Sequence, residues 1–210
     1  MKTPVILIPF KRARFKSRLS PVLDAQPRKK FAFLLLDVVL RTIRDAGLGE
    51  MCYVVSSDPQ AKVHAKDAGA SCLIEGQDSG VNGAIRFGVQ SMKGCEAFMV
   101  IPSDLALLAA SDIHHALKLW RKDTLVIAPS SSFNGTNLLI FPRRMTSQLS
   151  YDDDSFWNHL AAGARLGLRT VVLTQKGLVF DVDTPIDARE LMRLRSNTAA
   201  AKFLRKSLAK

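Results

Sequence analysis

Val5-Ile6-Leu7-Ile8-Pro9-Phe10 is an unbroken apolar run, followed by a basic loop over residues 11–23 and then by a long helical pattern. The run is short, apolar throughout and rich in β-formers, so it reads as a strand buried on both faces. Beyond the loop, Phe31, Leu34, Leu35, Val38, Val39 and Ile43 recur at helical spacing across 26–46, and Gly47 stops the pattern. Strand, loop and helix are the first half of a βαβ unit, and the rest of the chain repeats the theme. Strands are predicted at 51–56, 71–74, 97–101, 125–128, 137–141, 169–174 and 178–181. Helices are predicted at 59–68, from near Asn82, and at 111–122, 155–167 and 185–195. This alternation predicts an α/β fold with one mostly parallel sheet covered by helices on both faces, a three-layer sandwich.

The bulk composition fits one domain. At 210 residues and 47% hydrophobic, the chain can bury a real core. It has no apolar run approaching the roughly 20 residues that span a bilayer, and its N-terminal strand is too short for a signal-peptide core. Cys52, Cys72 and Cys95 are scattered, an odd and unpatterned set. They predict reduced thiols and a cytoplasmic setting, without a disulfide frame or zinc site. The formal charge is +11, and it sits at the ends. Residues 11–30 carry eight Lys or Arg against Asp24, and residues 188–210 carry seven against Glu190. The first cluster suits a phosphate site, and the second reads as an exposed basic helix. A nucleic-acid binder is the rival for such a balance, but no aromatic-rich basic strand or zinc finger accompanies it.

In such sheets ligands sit beyond the carboxyl ends of the strands. Candidate groups fall there. Lys11, Arg12, Arg14, Lys16 and Arg18 follow the first strand, where multiple cations suit a triphosphate; a solvated charge run is the plainer alternative. Neither a Walker loop nor a Gly-rich dinucleotide fingerprint is present. Asp104 ends the strand at 97–101 after Pro102-Ser103, as a cation ligand or as a helix cap. Asp181 and Asp183 lie two apart, on the same side of an extended segment, and one of them could cap the helix that begins at Thr184-Pro185. Asp187 reads as an exposed first-turn residue. Gly80, Asn82 and Gly83 offer close backbone approach and an amide for a base edge, or simply a helix start. Gly135-Thr136-Asn137 is a hydrogen-bonding turn running into an apolar strand, and Ser155 opens a helix. His159 reads as a structural hydrogen-bonding residue.

Together these segments resemble the 2-phospho-L-lactate guanylyltransferase family of deazaflavin coenzyme F420 biosynthesis, among the MobA-like nucleotidyltransferases. The resemblance runs from residue 4 to about 190 and rests on Pro9-Phe10-Lys11, Lys16-Ser17-Arg18-Leu19-Ser20-Pro21, Asp37-Val38-Val39 and Asn82. It continues through Pro102-Ser103-Asp104-Leu105, Gly135-Thr136-Asn137, Ser155-Phe156 with His159, and Asp181-Val182-Asp183-Thr184-Pro185. It implies a single Rossmann-like domain over residues 1–196, akin to nucleotide-diphospho-sugar transferases, with residues 197–210 as a basic helix or tail. It also implies Mg²⁺ on Asp104 and Asp183. GTP would meet Lys16, Arg18, Gly80, Asn82 and Gly83, with Lys11 near the phosphates. A small phosphorylated carboxylic acid would be held at Gly135, Thr136, Asn137 and Ser155. The acceptor left open beside 2-phospho-L-lactate is phosphoenolpyruvate, 3-phosphoglycerate or a molybdopterin. No membrane and no nucleic-acid partner is expected, and the oligomeric state, a homodimer included, is left open. Two departures stand out: Asp152 replaces the glycine of an aromatic-Gly pair, giving Tyr151-Asp152-Asp153-Asp154, and Ala106 replaces a proline.

Overall fold

Parity along the first strand explains the layers. In β1 (Val5–Pro9), Ile6 and Ile8 point into one core while Val5 and Leu7 point into another. The computed structural model describes residues 3–11, 16–194 and 198–208. Arg12 and Arg14 of the basic loop, and the boundary drawn at residue 196, lie outside the described residues.

The remaining strands are β2 (Cys52–Ser56), β3 (Ser71–Ile74), β4 (Ala97–Val100), β5 (Thr124–Pro129), β6 (Thr136–Pro142) and β7 (Arg169–Val172). They form one sheet in the order β3-β2-β1-β4-β6-β5-β7. Pairings are parallel except where β6 runs antiparallel to β4 and β5. The helices are α1 (Ala25–Asp45), α2 (Gln60–Asp67), α3 (Gly80–Ser91), α4 (Ala110–Leu119), α5 (Ser155–Arg165), the single turn α6 (Lys176–Val179), α7 (Pro185–Arg193) and α8 (Ala199–Leu208). α1, α2 and α4 cover the Ile6/Ile8 face, and α3 and α5 cover the Leu7 face. α5 can press on the sheet because residue 163 is glycine: a Cβ there would stand 2.7 Å from a Leu125 methyl. No helix among the described residues is long and apolar enough to cross a membrane.

The three-layer α/β architecture stands as expected, with two corrections. The strand expected at 178–181 is absent. Leu178 and Val179 donate their N–H groups to the Gln175 carbonyl, closing the α6 turn and burying Leu178. The chain then leaves the sheet and runs beside the loop after β4, where Val182 N donates to the Asp104 carbonyl at 3.3 Å. The basic C-terminal segment is also more than an exposed helix. Ala200, Ala201 and Leu204 of α8 join Phe31 and Leu35 of α1 and Leu191 of α7 in a third apolar cluster, and Phe203 stacks on Phe31 at 5.6 Å.

The antiparallel β6 positions the site. A strand reversed between parallel neighbours brings its N-terminal end to the rim formed by their carboxyl ends. The reversal is made by the turn 130–135, whose geometry the small polar residues fix. Ser130 N donates to the Gly135 carbonyl (2.8 Å), Gly135 N donates to Ser130 Oγ (2.9 Å), and the Ser132 hydroxyl donates to Asn134 Oδ1 (2.6 Å). Phe133 takes the left-handed conformation this turn needs, with φ 59°.

Candidate active site

A cleft of about 970 Å³ opens along that rim. The loop after β1 supplies Lys11, Lys16 and Arg18, the loop after β4 supplies Asp104, and the start of β6 supplies Gly135, Thr136 and Asn137. The segment before α5 contributes Tyr151 to Ser155, and the stretch before α7 contributes Asp181 and Asp183. The cations, the acids and the hydroxyl-bearing turn expected to carry chemistry therefore share one cavity. Gly80, expected at the nucleotide, does not itself line the cleft, and Asp181, to which the resemblance gives no role, does.

At its centre three carboxylates crowd together. Ligand oxygens of Asp104, Asp181 and Asp183 all lie within 4.8 Å of one another. The Lys16 ammonium bridges two of them, 2.7 Å from Asp104 Oδ2 and 2.6 Å from Asp183 Oδ1. Arg18 approaches Asp183 at 3.6 Å from the exposed side. Lys16 is 9% exposed and holds a left-handed backbone, φ 45°, to reach inward. Burial alone would lower its pKa, but Asp104 and Asp183 together raise it above the ordinary lysine range, so it stays charged. The Lys16 charge holds Asp183 below the usual carboxylate range. Burial raises Asp104, against the pull of Lys16. Asp181 is pushed up to about 6, by burial first and then by the Asp104 charge.

Neither cap reading of the aspartates holds. α4 begins only at Ala110, with Ala109 in the cap position, so Asp104 does not cap it. Thr184 is the cap of α7, and its partner is Asp187, which accepts from the N–H groups of Asp183 (3.1 Å) and Thr184 (2.7 Å). Asp187 is thus a capping residue, and it frees Asp183 to face the cleft. One Asp104 oxygen, Oδ1, is buried without a hydrogen-bond partner. A buried carboxylate oxygen left unsatisfied inside a three-carboxylate group could hold a hard divalent cation.

In the same cleft the Thr136 hydroxyl lies 3.0 Å from His159 Nδ1 and 3.2 Å from Ser155 Oγ, which donates to it. Asn137 is engaged otherwise: its Nδ2 donates to the Val179 carbonyl (3.1 Å) and to Asp181 Oδ1 (3.2 Å). It orients a carboxylate from within the site. His159 is fully buried, as its structural reading required.

The residues near the start of α3 are arranged differently. Asn82 accepts from Tyr151 N at 2.7 Å and donates to Asp152 Oδ2 at 3.1 Å, so its amide clamps α3 to the acidic loop. Gly83 packs against Ser79, where a Cβ would collide with that side chain. Gly80 has φ +71°, and a Cβ there would lie 4.0 Å from Lys11 Nζ. Asp78 and Val81, not Asn82 or Gly83, line the cleft at this end. Asp152 is also tied by Ser150 Oγ at 3.2 Å. The sequence signal for Asp181 is its two-residue spacing from Asp183; the signal for Ser130 and Asn134 is only the polarity of the turn.

Comparison with known proteins agrees with this geometry. Residues 4–209 match the family described as Guanylyl transferase CofC like. The chain is 32% identical over 189 residues to a phosphoenolpyruvate guanylyltransferase of Rubrobacter xylanophilus, covering 88% of this chain and 91% of that one. It is 32% identical over 190 residues to a 2-phospho-L-lactate guanylyltransferase of Methanocaldococcus fervens, covering 90% and 84%. A crystal structure from Desulfovibrio desulfuricans G20, provisionally described as a nucleotide-diphospho-sugar transferase, superposes with a TM-score of 0.77 at 16% identity, covering 100% and 96%, and shows the shared fold. Matched over residues 4–209, and carrying a cleft that gathers carboxylates, cations and a hydroxyl-bearing turn, the chain belongs to the CofC-like guanylyl transferase family.

Proposed function

We propose that the protein joins GTP to 2-phospho-L-lactate, giving lactyl-2-diphospho-5′-guanosine and pyrophosphate, a step of coenzyme F420 biosynthesis. The observation that carries this reading is a carboxylate trio, two of its members bridged by Lys16, sharing one cleft with the Thr136 hydroxyl. A phosphate oxygen of the acceptor attacks the α-phosphorus of GTP in line. The α–β bridging P–O bond breaks, and its electrons leave with pyrophosphate. The second pKa of a phosphate ester is about 6, so the nucleophile is already deprotonated at pH 7. No general base is required, and the work of the site is positioning and charge.

Asp104 and Asp183, joined by Asp181, would hold Mg²⁺. When bound, the ion neutralises phosphate charge and polarises the phosphoryl oxygens. Arg18 and Lys11 supply cations to the triphosphate from the open side of the cleft. Lys16 does the same work from within, and its grip on Asp104 and Asp183 holds the two acids together against their mutual repulsion. The turn at Gly135 to Asn137 and the start of α5 receive the acid substrate. Here Asn137 acts through Asp181 and the Ser155 hydroxyl acts through Thr136, whose own hydroxyl makes the direct contact.

A second acceptor, phosphoenolpyruvate, is favoured by one observation: the Rubrobacter relative of that name is as similar as the Methanocaldococcus one. Both are three-carbon acids bearing a phosphate beside a carboxylate, so the same wall receives either. Purified protein with Mg²⁺ and GTP, supplied with each acid in turn and assayed for pyrophosphate, separates the two. Release with phosphoenolpyruvate alone would replace the acceptor; release with neither would overturn the reading.

A further inference from the structure

His159 lies on α5, fully buried, and its two ring nitrogens meet different kinds of partner. Nε2 faces the backbone N–H of Ser150 at 3.2 Å. A backbone N–H only donates, so Nε2 must accept. Burial lowers the His159 pKa to about 4, and the ring is neutral at physiological pH. A neutral imidazole with an accepting Nε2 carries its proton on Nδ1. Nδ1–H then donates to Thr136 Oγ1 at 3.0 Å, and Ser155 Oγ donates to that same oxygen at 3.2 Å. A hydroxyl oxygen has two lone pairs. Both are taken, so the Thr136 proton has to be given away, and Thr136 lines the cleft.

We propose that His159 is a positioning residue that turns the Thr136 hydroxyl into an obligate donor toward the cleft, so that this wall favours a deprotonated oxygen of the acceptor. The favoured ligand group is a carboxylate or phosphate oxygen. A group that can only donate, such as an ammonium, meets a donor there and is rejected, while an alcohol or a protonated carboxyl can still accept but forms only the weaker neutral hydrogen bond. The chain of direction begins at a main-chain N–H, which cannot reverse, and passes through the ring to Thr136. The inference rests on the reading that this turn receives the phosphorylated acid.

Two substitutions divide the roles of the ring. His159→Asn sets an amide near the Nδ1 position and can still donate to Thr136. His159→Gln reaches the Nε2 position, keeps an acceptor for Ser150 and loses the donor to Thr136. The Asn variant is expected to hold the acceptor KM within about threefold. The Gln variant is expected to raise it by roughly tenfold or more, with the GTP KM unchanged in both. Equal changes in the two KM values, or a fall in kcat alone, would make His159 a packing residue and overturn the proposal. The wild-type protein supplies a second test that requires no folded variant: ¹⁵N-edited NMR of the imidazole nitrogens should find His159 as the Nδ1–H tautomer. The Nε2–H tautomer would overturn the proposal directly. If wild-type protein releases no pyrophosphate with any phospho-acid, the functional reading fails, while the tautomer still decides the direction of the Thr136 hydroxyl.

Discussion

Asp181→Asn is expected to stabilise the protein while weakening its cation site. Asp181 shares a 4.8 Å cluster with Asp104 and Asp183, and its pKa rises from the usual 3.8 to about 6. At pH 8 the carboxyl is ionised in the folded and unfolded chains alike, so folding bears the whole cost of the shift. That cost is about 3 kcal/mol at 1.36 kcal/mol per pKa unit. The partial opening of Asp181 to the cleft reduces it to about 1–2 kcal/mol. Asparagine removes the charge, and its carbonyl can keep the hydrogen bond that Asn137 Nδ2 gives to Asp181 Oδ1. For a chain of this size 1 kcal/mol moves Tm by roughly 2–4 °C, so a gain of roughly 2–8 °C is expected at pH 8. The folded pKa lies above the unfolded one. Between about pH 6 and pH 4 the folded wild type therefore binds the extra proton and regains stability as pH falls. The advantage of the variant should shrink near pH 5 and vanish below about pH 4. Calorimetry in chelator at pH 8, 5 and 4 reads this pattern, and Mn²⁺ titration at pH 8 reads the weakened site. A variant less stable than wild type at pH 8, or a gain that grows with acid, would refute the electrostatic reasoning.

Asp104→Asn should lower turnover about a hundredfold or more, the scale for losing a preorganised charge at a reacting centre, and shift Tm by only about 2 °C. A large Tm loss with normal turnover in steady-state assays would make Asp104 structural. Thr136→Val keeps the shape of the side chain and removes its hydroxyl, so the acceptor KM should rise about ten- to a hundredfold while the GTP KM holds; equal losses for both substrates would remove this turn from the acceptor site. Deleting residues 198–210 strips Leu204 and Phe203 from the cluster around Phe31. At roughly 1.5–3 kcal/mol per buried large side chain, the loss is several kcal/mol, and Tm measured by circular dichroism should fall by roughly 10 °C or more. An unchanged Tm would return α8 to the status of an appended basic helix.

Much of this was legible in the sequence because periodicity is local. The apolar run at 5–10 and the spacing from Phe31 to Ile43 state their own burial, and the alternation they begin leads to a two-faced sheet. The direction of β6 was not legible: Leu138 to Phe141 is as apolar as a parallel strand, and only the hydrogen bonds of Ser130 and Asn134 reverse the chain. Residues 178–181 look like a strand because Leu178, Val179 and Phe180 are apolar, yet they bury Leu178 and Phe180 from a helical turn and a coil. The α8 helix hid its apolar face behind its charge. In the site, residue types at strand ends gave Asp104, Asp183 and Thr136. What depended on a partner distant in sequence did not follow: Lys16 lying between two carboxylates, and Asn82 binding the loop at Tyr151 and Asp152. Asp187 is the local exception, since a first-turn acid can face solvent or reach back to the cap, and only the structure chooses.

Guanylyl transfer between two anions in a carboxylate-held cation site would release one pyrophosphate per product. Its most direct measurement is pyrophosphate release from GTP with and without 2-phospho-L-lactate or phosphoenolpyruvate, in Mg²⁺ and in chelator. Release should depend on one of these acids, match the guanylylated product mole for mole, and stop in chelator. Release that needs no acceptor, or that continues undiminished in chelator, would contradict it.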